Sequence, residues 1–121
     1  MTHHKNQSFQ QRLRFALDGL THALRAEHSL RIQVAAFVVT VIAMLILHPG
    51  PLWWALMMLA SAGVIASEIF NTAIEHLADH LHPEVHPKIQ IVKDCAAAAV
   101  LVAALGALAV ALALVVHLVE R

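Results

Sequence analysis

The sequence predicts an all-α membrane protein: an N-terminal amphipathic surface helix followed by three transmembrane helices, in one domain spanning 1–121. Two observations carry this. Of the 121 residues, 60% are hydrophobic and 13% charged, about half the roughly 25% charged share of soluble domains. The mean hydropathy is +0.71, and the apolar residues lie in long runs that a chain of this length cannot hide in one core.

The surface helix is expected at about 8–27. Ser8 is a suitable N-cap, and Phe9, Leu13, Leu17, Leu20 and Leu24 follow in steps of four, four, three and four, tracing one apolar stripe. Arg12, Arg14, Asp18, His22 and Arg25 take other faces. This pattern fits a helix lying on a membrane surface, with packing on a partner helix as the alternative.

The first span is expected at about 30–48. Val34 to Leu47 is apolar apart from Thr40, and Leu30 to Gln33 complete the length, with Arg31 snorkelling to the interface. His48-Pro49-Gly50-Pro51 stops it, because neither proline can continue a helix. The second span is expected at about 52–80. It is uncharged from Leu52 through Ser67, and Trp53 and Trp54 suit an interfacial aromatic belt. The third, at about 94–117, contains the 22 uncharged residues Cys95 to Val116, where about 20 suffice to cross the hydrocarbon. Its alanines, among them Ala96, Ala103, Ala107 and Ala111, invite close helix packing. Lys93 is suited to anchor among headgroups and Asp94 to cap the span's start.

Charge placement orients the chain. Lys5, Arg12, Arg14, Arg25, Arg31, Lys88 and Lys93 fall before span one or between spans two and three, against Arg121 alone on the other side. Basic residues stay inside, so the N-terminus is expected in the cytoplasm and the C-terminus outside. Met1 to Gln11 is polar with no apolar core, so no secretory signal is expected and the whole chain is expected to be mature protein. Eight Lys and Arg balance eight Asp and Glu, which leaves no basic field for nucleic acid. The lone Cys95 excludes disulfide stapling and is assigned no role.

The chemistry is expected on the second span. Glu68, Asn71, Glu75 and Asp79 are spaced three, four and four, so on a helix they share one face. Glu68 lies about 24 Å along the axis from Leu52, against a hydrocarbon thickness of roughly 30 Å, which places it just inside the boundary. Glu75 is about 10 Å further on, at the headgroup or water layer. Acids near lipid are costly and are functional candidates for that reason. The bland alternative is pairing with Arg25, Arg31 or Lys93, or hydrogen bonding between subunits. Glu27, at the end of the surface helix, reads as a solvated charge that is also placed to face Glu75.

At these residues the chain resembles the small prokaryotic diacylglycerol kinases and their relatives, the undecaprenol kinases. The resemblance rests on Glu68-x-x-Asn71-Thr72-Ala73-Ile74-Glu75-x-x-x-Asp79 and on Lys93-Asp94-x-Ala96-Ala97-Ala98-Ala99-Val100-Leu101, with Glu84-x-His86 between them. It covers nearly the whole chain. It implies a homotrimeric enzyme of the cell inner membrane, with sites shared between subunits, that moves the ATP γ-phosphate to a lipid hydroxyl. The family has no P-loop, and Gly19, Gly50, Gly63 and Gly106 form no phosphate-cradling motif here.

Carried over by position, Glu68 resembles the general base, with Asn71 beside it as the second catalytic residue. Glu27 and Glu75 resemble the carboxylates that hold Mg²⁺ with ATP, which suits a hard ion using few protein oxygens. Asp79, Glu84, His86, Lys93 and Asp94 would line the nucleotide site. Phe15 stands where the family has a tyrosine near the nucleotide, Ser8 where it has an arginine (Arg12 being nearest), and Ala26 where asparagine is frequent. Arg31, Gln33 and Ala97, with Glu68, would meet the lipid. Arg31-Ile32-Gln33 leans toward the Arg-Ile-His run of undecaprenol kinases, so diacylglycerol and undecaprenol both stand as acceptors.

Two readings from other classes compete. His76 and His80 share a helix face, with His82 and His86 just beyond, a spacing that can ligate zinc in a histidine-based metal-binding membrane protein. A structural membrane subunit without catalysis is the other, and it leaves the two motif blocks unexplained.

Overall fold

The computed structural model describes residues 6–121, which form four α-helices and no strands. Lys5, one of the orienting charges, lies outside the described residues, as does most of the polar stretch before Ser8.

Helix α1 runs from Phe9 to Ala26, and Ser8 caps it as expected. The Ser8 hydroxyl accepts from the Gln11 amide at 3.3 Å, and the Gln11 side chain accepts from the Ser8 amide at 3.0 Å. Two donors otherwise orphaned in the first turn are thereby satisfied. Phe9, Leu13 and Leu17 remain exposed, while the buried residue is Ala23. The helix therefore faces α3 through small side chains, Ala16, Gly19 and Ala23. The first half of its apolar stripe is left outward, as expected of a surface helix, whereas Leu20 lines the cavity against α3 and Leu24 is half-buried.

Helix α2 spans His28–Leu47. One extended residue, Glu27, separates it from α1. Arg31 points from α2 back toward the surface helix. Its guanidinium turns back onto the last turn of α1 and donates to the carbonyls of Leu24 at 2.8 Å and Arg25 at 3.0 Å. Helix C-termini leave carbonyls without partners, and this side chain supplies them.

His48 closes α2 in the left-handed region, and Gly50 at φ 101° completes the reversal. Pro51 then opens α3, Pro51–Leu81, in the first-turn position where its missing N–H costs nothing. Helix α4, Pro87–Glu120, begins earlier than expected. Pro87 takes the first turn and His86 the cap, its Nδ1 accepting from the Lys88 amide at 3.1 Å. Asp94 is consequently inside the helix rather than capping it, and accepts from Gln90 at 2.8 Å.

At 31 and 34 residues, α3 and α4 measure about 46 and 51 Å and overshoot a 30 Å hydrocarbon layer. Helices α2, α3 and α4 are all long and apolar enough to cross a membrane. The core is slim: Met44, Met57 and Leu114 meet with Trp53, Trp54 and Val110 packed around them. Many large side chains, such as Val39, Ile46, Leu59 and Val102, stay exposed, as lipid-facing positions require. At this end Trp53 and His117 stack with ring centroids 5.3 Å apart. Arg121 donates to the carbonyls of Leu47 and His48 at 2.5 and 3.1 Å, tying the end of α4 to the end of α2.

Candidate active site

Helix α3 carries Glu68, Asn71, Glu75 and Asp79 along one face, and the structure surrounds each differently. Glu68 is the buried carboxylate among the described residues, 5% exposed. Burying an acid is costly unless its oxygens are partnered. Here the Ser29 hydroxyl, from the first turn of α2, donates to Oε2 at 3.1 Å. Thr72, also buried, sends its hydroxyl back to the Glu68 carbonyl at 3.0 Å and occupies the next turn. Asn71 is half-buried, and its Oδ1 is sequestered without a hydrogen-bond partner. An amide oxygen held this way, next to the buried acid, is ready to accept from a ligand.

Glu75 is half-buried one turn further on, and Glu27 is half-buried at the joint of α1 and α2. No group of three or more metal-ligating side chains occurs among the described residues. Glu27 and Glu75 supply carboxylate oxygens, the donor type that suits a hard cation taking its other oxygens from phosphates and water. The multi-histidine metal reading finds no such cluster: the His76 ring packs edge-on against His22 of α1, not with His80.

At the far end of the stripe, Asp79 and the Lys93 ammonium of α4 form a salt bridge. Asp79, His82, Glu84, His86, Gln90 and Lys93 line one small cavity of about 60 Å³ where the α3–α4 loop folds over. His82 Nδ1 lies 2.9 Å from the Glu84 carbonyl oxygen, and its ring meets that of His86 at 5.3 Å. Four residues expected around a nucleotide (Asp79, Glu84, His86 and Lys93) are thus gathered in one place. Asp94 is one residue beyond, hydrogen-bonded to Gln90 of the same cavity.

The expected lipid contacts are dispersed. Arg31 is occupied by the α1 carbonyls. Gln33 lines a separate cavity of about 210 Å³ with Thr40 and Ser61, among apolar side chains of α2, α3 and α4. Ala97 is exposed on α4, one turn past Lys93, and Phe15 lies on α1. Sequence reasoning passed over Ser29. Its signal was slight, a hydroxyl near the start of a span two residues after Glu27.

Residues 14–115 match the family model described as prokaryotic diacylglycerol kinase. The chain is also 34% identical over 98 residues to a protein of Synechocystis sp. named diacylglycerol kinase. That alignment covers 80% of this chain and 56% of the relative, so the chain spans little more than half of the relative's length.

Proposed function

Because the chain belongs to the prokaryotic diacylglycerol kinase family, we propose that it transfers the γ-phosphate of ATP to the hydroxyl of a membrane lipid, diacylglycerol, forming phosphatidic acid. The observation that carries this reading is Glu68: a buried carboxylate, partnered by Ser29, on a helix face that continues into Asn71, Glu75 and Asp79.

Ser29 occupies Oε2 and orients the carboxylate. Oε1 then takes the proton of the lipid hydroxyl as its oxygen attacks phosphorus in line, and the ADP oxygen leaves. Asn71 helps to hold the lipid hydroxyl, which can donate to its unpartnered Oδ1, and the nucleotide phosphates, which accept from its Nδ2. Glu27 and Glu75 would hold Mg²⁺ with ATP, and the ion would supply charge neutralisation. Asp79, Glu84, His86, Lys93 and Asp94 hold the nucleotide, with Lys93 the cation nearest the stripe's aqueous end. Most of the acceleration comes from positioning and charge neutralisation, because phosphoryl transfer asks little covalent chemistry of the protein.

The enzyme sits in the cytoplasmic membrane with its basic segments inside, which places the nucleotide end of α3 and α4 in the cytoplasm. It acts as a homotrimer with sites shared between subunits. In support, Leu77 and Leu81 are exposed on the part of α3 that runs beyond the hydrocarbon, where lipid does not cover them and a protein partner would. Arg31-Ile32-Gln33 keeps undecaprenol as the second acceptor of the same chemistry.

The test is transfer from labelled ATP in Mg²⁺-supplied mixed micelles, with diacylglycerol and undecaprenol side by side. Labelled phosphatidic acid supports the proposal. Product with undecaprenol alone keeps the chemistry and changes the acceptor. No product from well-folded protein with either lipid removes the kinase reading.

A further inference from the structure

We propose that His22 of α1 and His76 of α3 form a binding site for a borderline divalent transition-metal ion, zinc or nickel, which ties the surface helix to the α3 shaft. The two rings come from separate helices, 54 residues apart in sequence, and meet with centroids 5.2 Å apart and planes at 89°. Two imidazoles bound to one tetrahedral ion through metal–nitrogen bonds of about 2.0–2.1 Å place their centroids roughly 5 Å apart. The ring spacing of two imidazoles on one ion is therefore already present.

Three further observations favour these two histidines over the others. Neither ring makes a hydrogen bond to a described residue, so each has a nitrogen lone pair to give. His82 and His86 also meet, but His86 spends its Nδ1 lone pair capping α4 and carries its proton on Nε2. Binding an ion there would cost the cap. Second, His22 and His76 are the two imidazoles lining a cavity of about 450 Å³ whose other walls, among them Leu20, Ile69 and Ala73, offer no competing nitrogen, and both residues are open to solvent, so water can complete an ion's shell. Third, His76 lies about 36 Å along α3 from Leu52, beyond a hydrocarbon layer of about 30 Å, where aqueous cations reach it.

The donor set decides which ions enter. Imidazole suits zinc, nickel and copper, whereas Mg²⁺ demands oxygen ligands. No third protein ligand joins the pair among the described residues, so water fills the remaining positions. The site is a two-point clamp rather than a structural zinc cage. It is separate in donor type from the carboxylate pair proposed for Mg²⁺ and stands whether or not the chain is a kinase.

Zinc binding to the full chain in detergent micelles, with Mg²⁺ in excess, tests this by competition with a chromophoric chelator. The wild type is expected to bind one more equivalent of zinc per chain than either H22Q or H76Q, and H80Q to bind as many as the wild type. Zinc should also raise the thermal midpoint of wild type and H80Q by several degrees and leave H22Q and H76Q unmoved. Both rings are exposed, so the Gln variants keep the fold, and unchanged elution volume checks it. Equal zinc stoichiometry in the wild type and either single variant, or a wild-type midpoint that zinc does not move, overturns the proposal.

Discussion

The Ser29 hydroxyl donates to Glu68 Oε2 at 3.1 Å, linking the first turn of α2 to the middle of α3 across 39 residues of sequence. The bond joins the buried acid to the helix that follows Glu27, so the two carboxylate-bearing segments are held in fixed relation. A net hydrogen bond is worth about 1 kcal/mol. Ser29→Ala is therefore expected to lower kcat roughly fivefold with KM for ATP unchanged, and Ser29→Thr, which keeps the hydroxyl, to recover most of it. Steady-state kinetics on the three proteins checks this.

The salt bridge between Asp79 and Lys93 closes the opposite end of the stripe and joins α3 to α4. Asp79→Ala and Lys93→Ala are each expected to raise KM for ATP severalfold. In the double variant the loss should be smaller than the product of the two, because the second substitution removes a group whose partner is already gone. ATP titrations of the four proteins at one ionic strength measure the coupling.

His86 holds the start of α4 and lines the loop cavity. His86→Ala is expected to cost about 1 kcal/mol of stability through the lost cap, and His86→Asn, a good N-cap, to retain it. If the ring also meets the nucleotide, the Asn variant unfolds at the wild-type midpoint while its KM for ATP rises. Thermal unfolding and ATP titration on the same samples separate the two roles.

Removal of divalent cations should abolish phosphoryl transfer, and added Mg²⁺ should restore it. Glu75→Gln and Glu27→Gln should each require more Mg²⁺ for half-maximal rate, since each deletes one anionic oxygen from a site with few protein ligands. Rate against free Mg²⁺ gives the shift.

Much of the arrangement was legible in residue order. The N-cap at Ser8, the stop at His48 to Pro51 and the three apolar runs follow from local rules and match the observed helices. The Glu68 stripe was legible because a helix repeats its face every three or four residues. What escaped was non-local. The partnership of Ser29 with Glu68 depends on how two distant helices cross, and nothing beside either residue announces it. The partners of Arg31 are hidden in the same way, because composition cannot show that the carbonyls of Leu24 and Arg25 lie within its reach. Helix α4 starts ahead of the uncharged run that marks its span in the sequence. A helix can continue into water well past its apolar part, and Pro87 with His86 marked the true beginning.

The central claim is that Glu68 is the base of a lipid kinase, and the most direct measurement compares Glu68→Gln with the wild type for transfer of labelled phosphate from ATP to diacylglycerol in mixed micelles. Glutamine keeps the shape and the acceptor for Ser29 but cannot take the proton. The account predicts a fall in kcat of about 10² to 10⁴-fold, with the thermal midpoint and KM for ATP near those of the wild type. A folded Glu68→Gln protein that turns over at close to the wild-type rate would contradict it.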